Sequence, residues 1–349
     1  MTLNDLLTTF VKRGASDVHL HAGLRPMIRI NGKLIPVSEK RLTPQFTESL
    51  VDVVCDDKAK MRLAEKNQVD LAYSVPNLAR FRVNLFKQRG SFSAVLRVIN
   101  SDEEQLKKVI LPPEILEYFR DQEKGLVLVT GPTGSGKSTT LARIIDEINK
   151  EHSKMIITIE DPIEFLHTSK NSAVVQREIG SDAPTFSEAL VAAMRQDPEV
   201  IMIGEIRDYA TAQAALSAAQ TGHLVFSTLH TMDTVRTVGR MIELFPPHER
   251  GTARLLFAES LVGIVSQRLL PRKGGHGRIA AMEILKGTLR IKDLVKDEQR
   301  THELYGQDII DYVTGASAAT SAQSFKMAAT QIDLERGRET PSLGMAEFA

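Results

Sequence analysis

Two rhythms of apolar and polar positions divide the chain. Over the first hundred residues the pattern is mostly period two. "DVHLH" (17–21), "MIRINGKLIPV" (27–37), "DLAYSV" (70–75), "ARFRVNLFKQRG" (79–90) and "FSAVLRVI" (92–99) read as strands. Asn31-Gly32 marks a hairpin turn. Residues 2–12 and 44–66 carry helical spacing, so 1–100 is expected to be an α+β domain on an antiparallel sheet. Residues 101–124 are charged and broken by Pro112-Pro113, which predicts a linker and a helix with a hinge at the prolines. From 125 the strands become continuously apolar, at 125–130, 155–160, 199–204 and 223–229. They alternate with helical stretches at 137–150, 186–196, 208–221 and 233–243. That alternation predicts an α/β domain over 125–305 with a mainly parallel, doubly wound sheet. A long helical pattern follows at about 247–269, then a strand in "GRIAAMEIL" and a helix in "TLRIKDLVKD". The tail, 306–349, is rich in Ala, Ser, Thr and Gly, with a helical pattern at 323–336.

Composition narrows the function classes. Lys+Arg and Asp+Glu both total 44, so no global basic field draws in nucleic acid or acidic lipid. The chain has no Trp and 5% aromatic residues, which leaves few platforms for stacking bases. Cys55, the single cysteine, excludes an intrachain disulfide and a cysteine-based zinc cluster. No apolar run approaches the ~20 residues of a membrane span. The N-terminal stretch places Asp5 before Lys12 and Arg13, the reverse of a secretory signal, so the expected location is cytoplasmic.

The chemistry concentrates in "GPTGSGKSTT", 131–140. It matches G-x-x-x-x-G-K-[ST] between an apolar strand and a helix, the context a phosphate loop requires. Gly131, Pro132, Thr133, Gly134, Ser135, Gly136, Lys137, Ser138 and Thr139 are the candidate nucleotide-binding residues. Their backbone N–H groups would face phosphate oxygens, Lys137 would reach the β- and γ-phosphates, and Ser138 would ligate Mg²⁺. The implied cofactors are ATP and Mg²⁺. Glu205 ends the strand in "EVIMIGEIRD" and is the candidate for activating water, with Gly204 where many phosphate-loop proteins carry an aspartate. In "TIEDPIEF", Glu160 and Asp161 are candidate metal ligands and Glu164 a further candidate catalytic acid. The plainer reading of these acids is solvated loop residues, or partners of Arg207. His230, ending "TGHLVFSTLHT", is placed to sense the γ-phosphate or to position Glu205, with His223 a weaker candidate; a packed structural histidine is the plainer reading.

Taken in order, "GPTGSGKSTT", "TIEDPIEF", "IMIGEIRD" and "TGHLVFSTLHT" resemble the secretion-type ATPases of type IV pili and type II secretion. "GASDVHLHAGLRPMIRINGKL" and "ARFRVNLFKQRG" also resemble that family, over about residues 3–300, and within it the pilus retraction branch. "RIKDLVKD" keeps the apolar spacing of a C-terminal segment of that branch, with Asp293 in place of its asparagine. The resemblance implies a PAS-like N-terminal domain, a RecA-like ATPase domain and a homohexameric ring, with nucleotide held between the domains. It further implies that Arg82 and Arg97, and more weakly Arg80, reach the phosphates. From pattern alone these arginines are the wet face of a sheet. The implied function is pilus retraction driven by domain rotation. Its partners would be an inner-membrane pilus platform protein and a related ATPase, at the inner face of the cell membrane and without direct nucleic-acid contact. The competing readings are an assembly ATPase of pili or type II secretion, a nucleic-acid motor, and a ring subunit that binds nucleotide only to regulate a partner.

Overall fold

A computed structural model describes residues 2–76, 78–99, 106, 109, 111–271, 278–304 and 309–313. The described residues fall into two compact units. The first gathers residues up to 99 together with 160–168 and 177–184, and the second gathers the remainder. The chain therefore leaves one unit for the other after 159, 168, 176 and 184, besides the single connection near residue 102.

The first unit begins with α1 (Leu3–Lys12), started by a capping box in which Thr2 Oγ1 accepts from the Asp5 N–H and the Asp5 carboxylate accepts from the Thr2 N–H. Strands β1 (Asp17–His21), β2 (Met27–Ile30), β3 (Lys33–Pro36), β4 (Gln68–Val75), β5 (Ala79–Gln88) and β6 (Ser91–Ile99) form a six-stranded sheet. Its order is β3-β2-β1-β6-β5-β4 and every pairing is antiparallel. Asn31 and Gly32 both take positive φ, 48° and 80°, which matches the two-residue turn expected between β2 and β3. The sheet is two-faced. Phe81, Val83 and Leu85 of β5 and Leu96 of β6 enter the core with Leu7 and Phe10 of α1. Arg80 and Arg82, two residues apart on β5, take the other face. The stretch 44–66 is two helices and not one: α2 (Pro44–Val54) and α3 (Asp57–Lys66). Cys55 is extended, and Asp56 starts a new helix by accepting the Ala59 N–H at 2.7 Å.

In the second unit α4 (Pro113–Arg120) buries Ile115 and Phe119 in the core, so the helix after Pro112 belongs to this unit. There follow β7 (Gly125–Thr130), α5 (Lys137–Glu151), β8 (Met155–Glu160), β9 (Ala173–Glu178), α6 (Phe186–Ala193), β10 (Val200–Ile203), α7 (Tyr209–Gln220), β11 (Leu224–Leu229) and α8 (Thr234–Glu243). The C-terminal part adds α9 (Arg250–Ser260), β12 (Leu261–Pro271), β13 (Arg278–Lys286), α10 (Leu289–Lys296) and β14 (Ile309–Val313). The eight strands run β14-β13-β12-β7-β11-β10-β8-β9. From β12 to β8 they are parallel, while β13 and β14 add antiparallel pairs at one end. β8 and β9 end in residues that group with the first unit.

The long helix expected at 247–269 is a correction. The helix stops at Ser260, and Leu261–Pro271 is a strand paired with both β7 and β13. Apolar runs such as "LVGIVSQRLL" do not reveal helix or strand by periodicity. Gly263 shows what decides it: a Cβ there would lie 2.8 Å from Phe119 and 2.9 Å from the Leu285 carbonyl, so only glycine admits this close packing. The helical pattern at 323–336 lies outside the described residues, as does the tail apart from β14.

Candidate functional site

β7 is buried along its whole length and delivers the chain to the loop at Thr130. The loop turns on Gly131, Gly134 and Gly136, with φ of 143°, 78° and 89°. Gly131 is further constrained by space, since a Cβ would lie 2.3 Å from the Gln267 carbonyl oxygen and 2.7 Å from Ser135 Oγ. α5 starts at Lys137, whose ammonium is nearly buried and donates to the carbonyls of Gly131 (3.0 Å) and Pro132 (3.3 Å). Ser135 Oγ is buried and lacks a partner among the described residues. Ser138 and Thr139 are exposed on the first turn of α5. These groups fit a nucleotide's phosphates: a buried hydroxyl without an acceptor, an ammonium resting on carbonyls, and the N-terminus of a 15-residue helix. The Ser138 hydroxyl suits a Mg²⁺ ion beside them.

The register of the parallel strands gathers more chemistry at the same sheet edge. Thr130 pairs with Leu229, Ser227 with Ile203, and each strand ends within two residues of these positions. The phosphate loop, Glu205 and His230 thus all follow the carboxyl ends of neighbouring strands, where open α/β sheets bind ligands. Thr228 Oγ1 donates to the Gly204 carbonyl at 2.7 Å and the Ile206 N–H donates to the Thr228 carbonyl at 3.1 Å, which fixes the segment carrying Glu205. Glu205 is 13% exposed in its side chain. Arg207 holds one of its oxygens at 2.5 Å and His230 Nε2 lies 3.3 Å from the other. His223 instead packs its Nδ1 3.0 Å from the Ala218 carbonyl, a local structural contact.

The other candidates lie in the first unit. Glu160 is buried, whereas Asp161 and Glu164 are exposed on the turn that follows β8. Arg82 of β5 and Arg97 of β6 are directly opposite in register, and both are exposed. Asp17 of β1 is opposite Arg97 on its other side and opposite Arg29 of β2, so the row across the sheet reads Arg29, Asp17, Arg97, Arg82. Arg97 Nε donates to Asp17 at 2.8 Å. Burial pushes the Asp17 carboxyl upward, but the bonds from Arg97 and Ser16 and the charges of Arg97 and Arg29 outweigh it and leave the group below its ordinary range. Arg82 faces a like charge directly across the strands, an unfavourable pairing that an anion would relieve. Arg80 is engaged differently: it pairs with Glu178 at 3.0 Å.

Two residues of this machinery went unnoticed in the sequence. Gln267, 2% exposed, accepts from Thr140 Oγ1 at 2.8 Å and donates to the Ser135 carbonyl at 2.6 Å, bracing the phosphate loop from β12. Glu178 ends β9, a strand the pattern did not reveal. Neither position carries a motif, and each meets its partner only through the tertiary fold.

Sheet order, loop and edge acids together define a phosphate-loop nucleotide-binding protein with an added antiparallel α+β unit. The family model described as "Type II/IV secretion system protein" matches residues 1–310, and the chain belongs to that family. It is 44% identical over 299 residues to the type IV pilus retractation ATPase PilT of Pseudomonas aeruginosa, covering 86% of each chain. It is 35% identical over 348 residues to the type IV pilus ATPase PilU of the same organism, covering 94% of this chain and 91% of that one. A crystal structure of the pilus retraction motor PilT with bound ADP superposes with a TM-score of 0.80 at 44% identity, covering 87% of this chain and 88% of that one. Among the described residues no helix is long and apolar enough to cross a membrane.

Proposed function

We propose that this chain is an ATPase that works as a hexameric ring and converts ATP hydrolysis into pilus retraction. The observation that carries the reading is the phosphate loop joined in register to Glu205 and His230 at one edge of the parallel sheet. The names of the relatives reported above support retraction as the work performed. In this reading the first unit is a PAS-like domain and the second a RecA-like one. The ring acts on an inner-membrane pilus platform protein, with a related ATPase as a further partner.

Gly131 to Gly136 wrap the phosphates with their N–H groups, and Lys137 exchanges the carbonyls of Gly131 and Pro132 for phosphate oxygens. Ser138, with Asp161 and Glu160, would hold Mg²⁺, which supplies charge neutralisation at the phosphates. Glu205 accepts a proton from the attacking water. To do so it must release Arg207, and His230 keeps the carboxylate aimed once Arg207 has left. Arg82 and Arg97 stabilise charge on the transferred phosphate, for which the planar guanidinium is suited. Glu164, exposed on the same turn as Asp161, is a further acid of the site, secondary to Glu205.

Glu205→Gln keeps the shape of the side chain and removes its basicity. Nucleotide affinity should remain within about twofold, while phosphate release falls by about 10²–10⁴. Turnover at the parental rate in purified Glu205→Gln would remove Glu205 from the reaction.

A further inference from the structure

Arg80 and Glu178 meet across 98 residues of chain. The Arg80 side chain is 21% exposed and that of Glu178 only 7%. One guanidinium nitrogen donates to Glu178 Oε2 at 3.0 Å and another to Ser74 Oγ at 3.3 Å. The same Glu178 oxygen accepts the backbone N–H of Ile163 at 3.3 Å. One residue on, the Glu164 N–H donates to Glu160 Oε2 at 3.3 Å, and the Glu160 carbonyl accepts the Ile179 N–H at 2.8 Å. The Glu178 N–H is itself held by Asp182 Oδ2 at 2.8 Å.

Two consecutive amides of the turn after β8 are therefore each gripped by a buried carboxylate, and one of those carboxylates is neutralised by Arg80. This turn carries Asp161 and Glu164, both exposed. Exposed ion pairs contribute little, but a nearly buried carboxylate that loses its guanidinium becomes an uncompensated charge. Glu178 would then turn toward water and drop the Ile163 N–H.

We propose that Arg80 and Glu178 are a positioning pair: they hold the Asp161–Glu164 turn in the pose from which its acids serve the metal-bound nucleotide. Arg80 thus acts through Glu178 and does not touch phosphate, unlike Arg82 and Arg97. What the turn serves rests on the ATPase reading above; that the pair holds the turn does not.

The test has two arms on the full chain. In the first, amide hydrogen exchange of Ile163 and Glu164 is measured without nucleotide. Arg80→Ala and Glu178→Ala should each speed exchange at Ile163 by about tenfold or more, the loss of one charge-assisted bond. Arg80→Lys keeps a donor for Glu178 and should stay within about threefold of the parent, which also guards against a variant that merely fails to fold. In the second arm, ATP turnover is titrated with Mg²⁺ and ATP affinity is measured in EDTA. Arg80→Ala and Glu178→Ala should raise the Mg²⁺ needed for half-maximal turnover by about tenfold, with affinity in EDTA unchanged. Parental exchange at Ile163 in Arg80→Ala would overturn the pair. So would a loss of affinity in EDTA in Arg80→Ala that Glu178→Ala does not share, because Arg80 would then be a phosphate ligand. If the parent itself releases no phosphate, the ATPase reading falls and the exchange arm still decides the pair.

Discussion

Gln267→Leu removes the brace on the phosphate loop while keeping most of the buried volume. In the parent the amide satisfies two groups at once, Thr140 Oγ1 at 2.8 Å and the Ser135 carbonyl at 2.6 Å. Leucine leaves a buried hydroxyl and a buried carbonyl without partners, at about 1–3 kcal/mol each. Ser135 lies in a loop that can tilt toward solvent and recover part of this, so the total should be about 2–4 kcal/mol. The cost divides between stability and binding, because an unbraced loop must be ordered by the nucleotide. If about 1.4 kcal/mol falls on binding, nucleotide affinity drops tenfold. Urea unfolding of the ligand-free protein reports the first part and calorimetric titration with ADP the second. Gln267→Glu keeps an acceptor for Thr140, loses the donor to Ser135 and adds a negative charge near the phosphates, so it should bind more weakly still. Stability lowered with affinity unchanged within twofold would refute the idea that Gln267 shapes the loop for ligand, and would leave it as ordinary core.

Three further outcomes follow from contacts elsewhere in the molecule and at the loop itself. Gly131→Ala places a methyl 2.3 Å from the Gln267 carbonyl at a φ of 143°, so it should cost about 2–3 kcal/mol in chemical unfolding and abolish ADP binding in the same titration. Arg82→Ala relieves a like-charge pair on an exposed face, so unfolding should shift by less than about 0.5 kcal/mol while phosphate release falls by about 10³; a parental rate would return Arg82 to the wet face of its sheet. Asp146 is buried, which pushes its carboxyl upward, but bonds from Lys150 and Lys170 more than reverse this and leave it lowered. A carboxyl depressed in the folded state contributes stability above its unfolded pKa of about 3.9 and loses that contribution as pH falls through its lower folded value. Asp146→Asn should therefore be less stable by about 2 kcal/mol at pH 7 and lose that deficit in the acid limb, as read by thermal unfolding from pH 7 to pH 2.

Local signals carried the parts of this fold that sequence could reveal. The phosphate loop is legible because its glycines, lysine and serine are contiguous and bounded by a buried strand and a helix. The Asn31-Gly32 hairpin is legible because two successive positive φ values need such residues. The break at Cys55 was written locally too, in the Asp56 cap, but helical periodicity on either side concealed it. β12 was hidden more deeply, since an apolar run becomes a strand there only through pairing with β7, which is remote in sequence. Gln267 sits in that misread stretch, so the brace on the loop was hidden with it. The arginines differ in the same way: alternation puts Arg80 and Arg82 on one face, but only the fold brings Glu178 to Arg80 and leaves Arg82 facing Arg97.

The winding of the chain between its two units bears on how the gene can be dissected. A fragment ending near residue 102 would lack 160–168 and 177–184, and with them the counter-ion of Arg80 and the turn that Glu178 grips. Such a truncation should express as a partly unfolded, protease-sensitive product. For the same reason, a single crossover near residue 102 between this chain and a homologue would draw Arg80 and the segment that carries its counter-ion from different parents, and chimeras that exchange the acidic-turn segment together with the N-terminal piece should be the more stable ones.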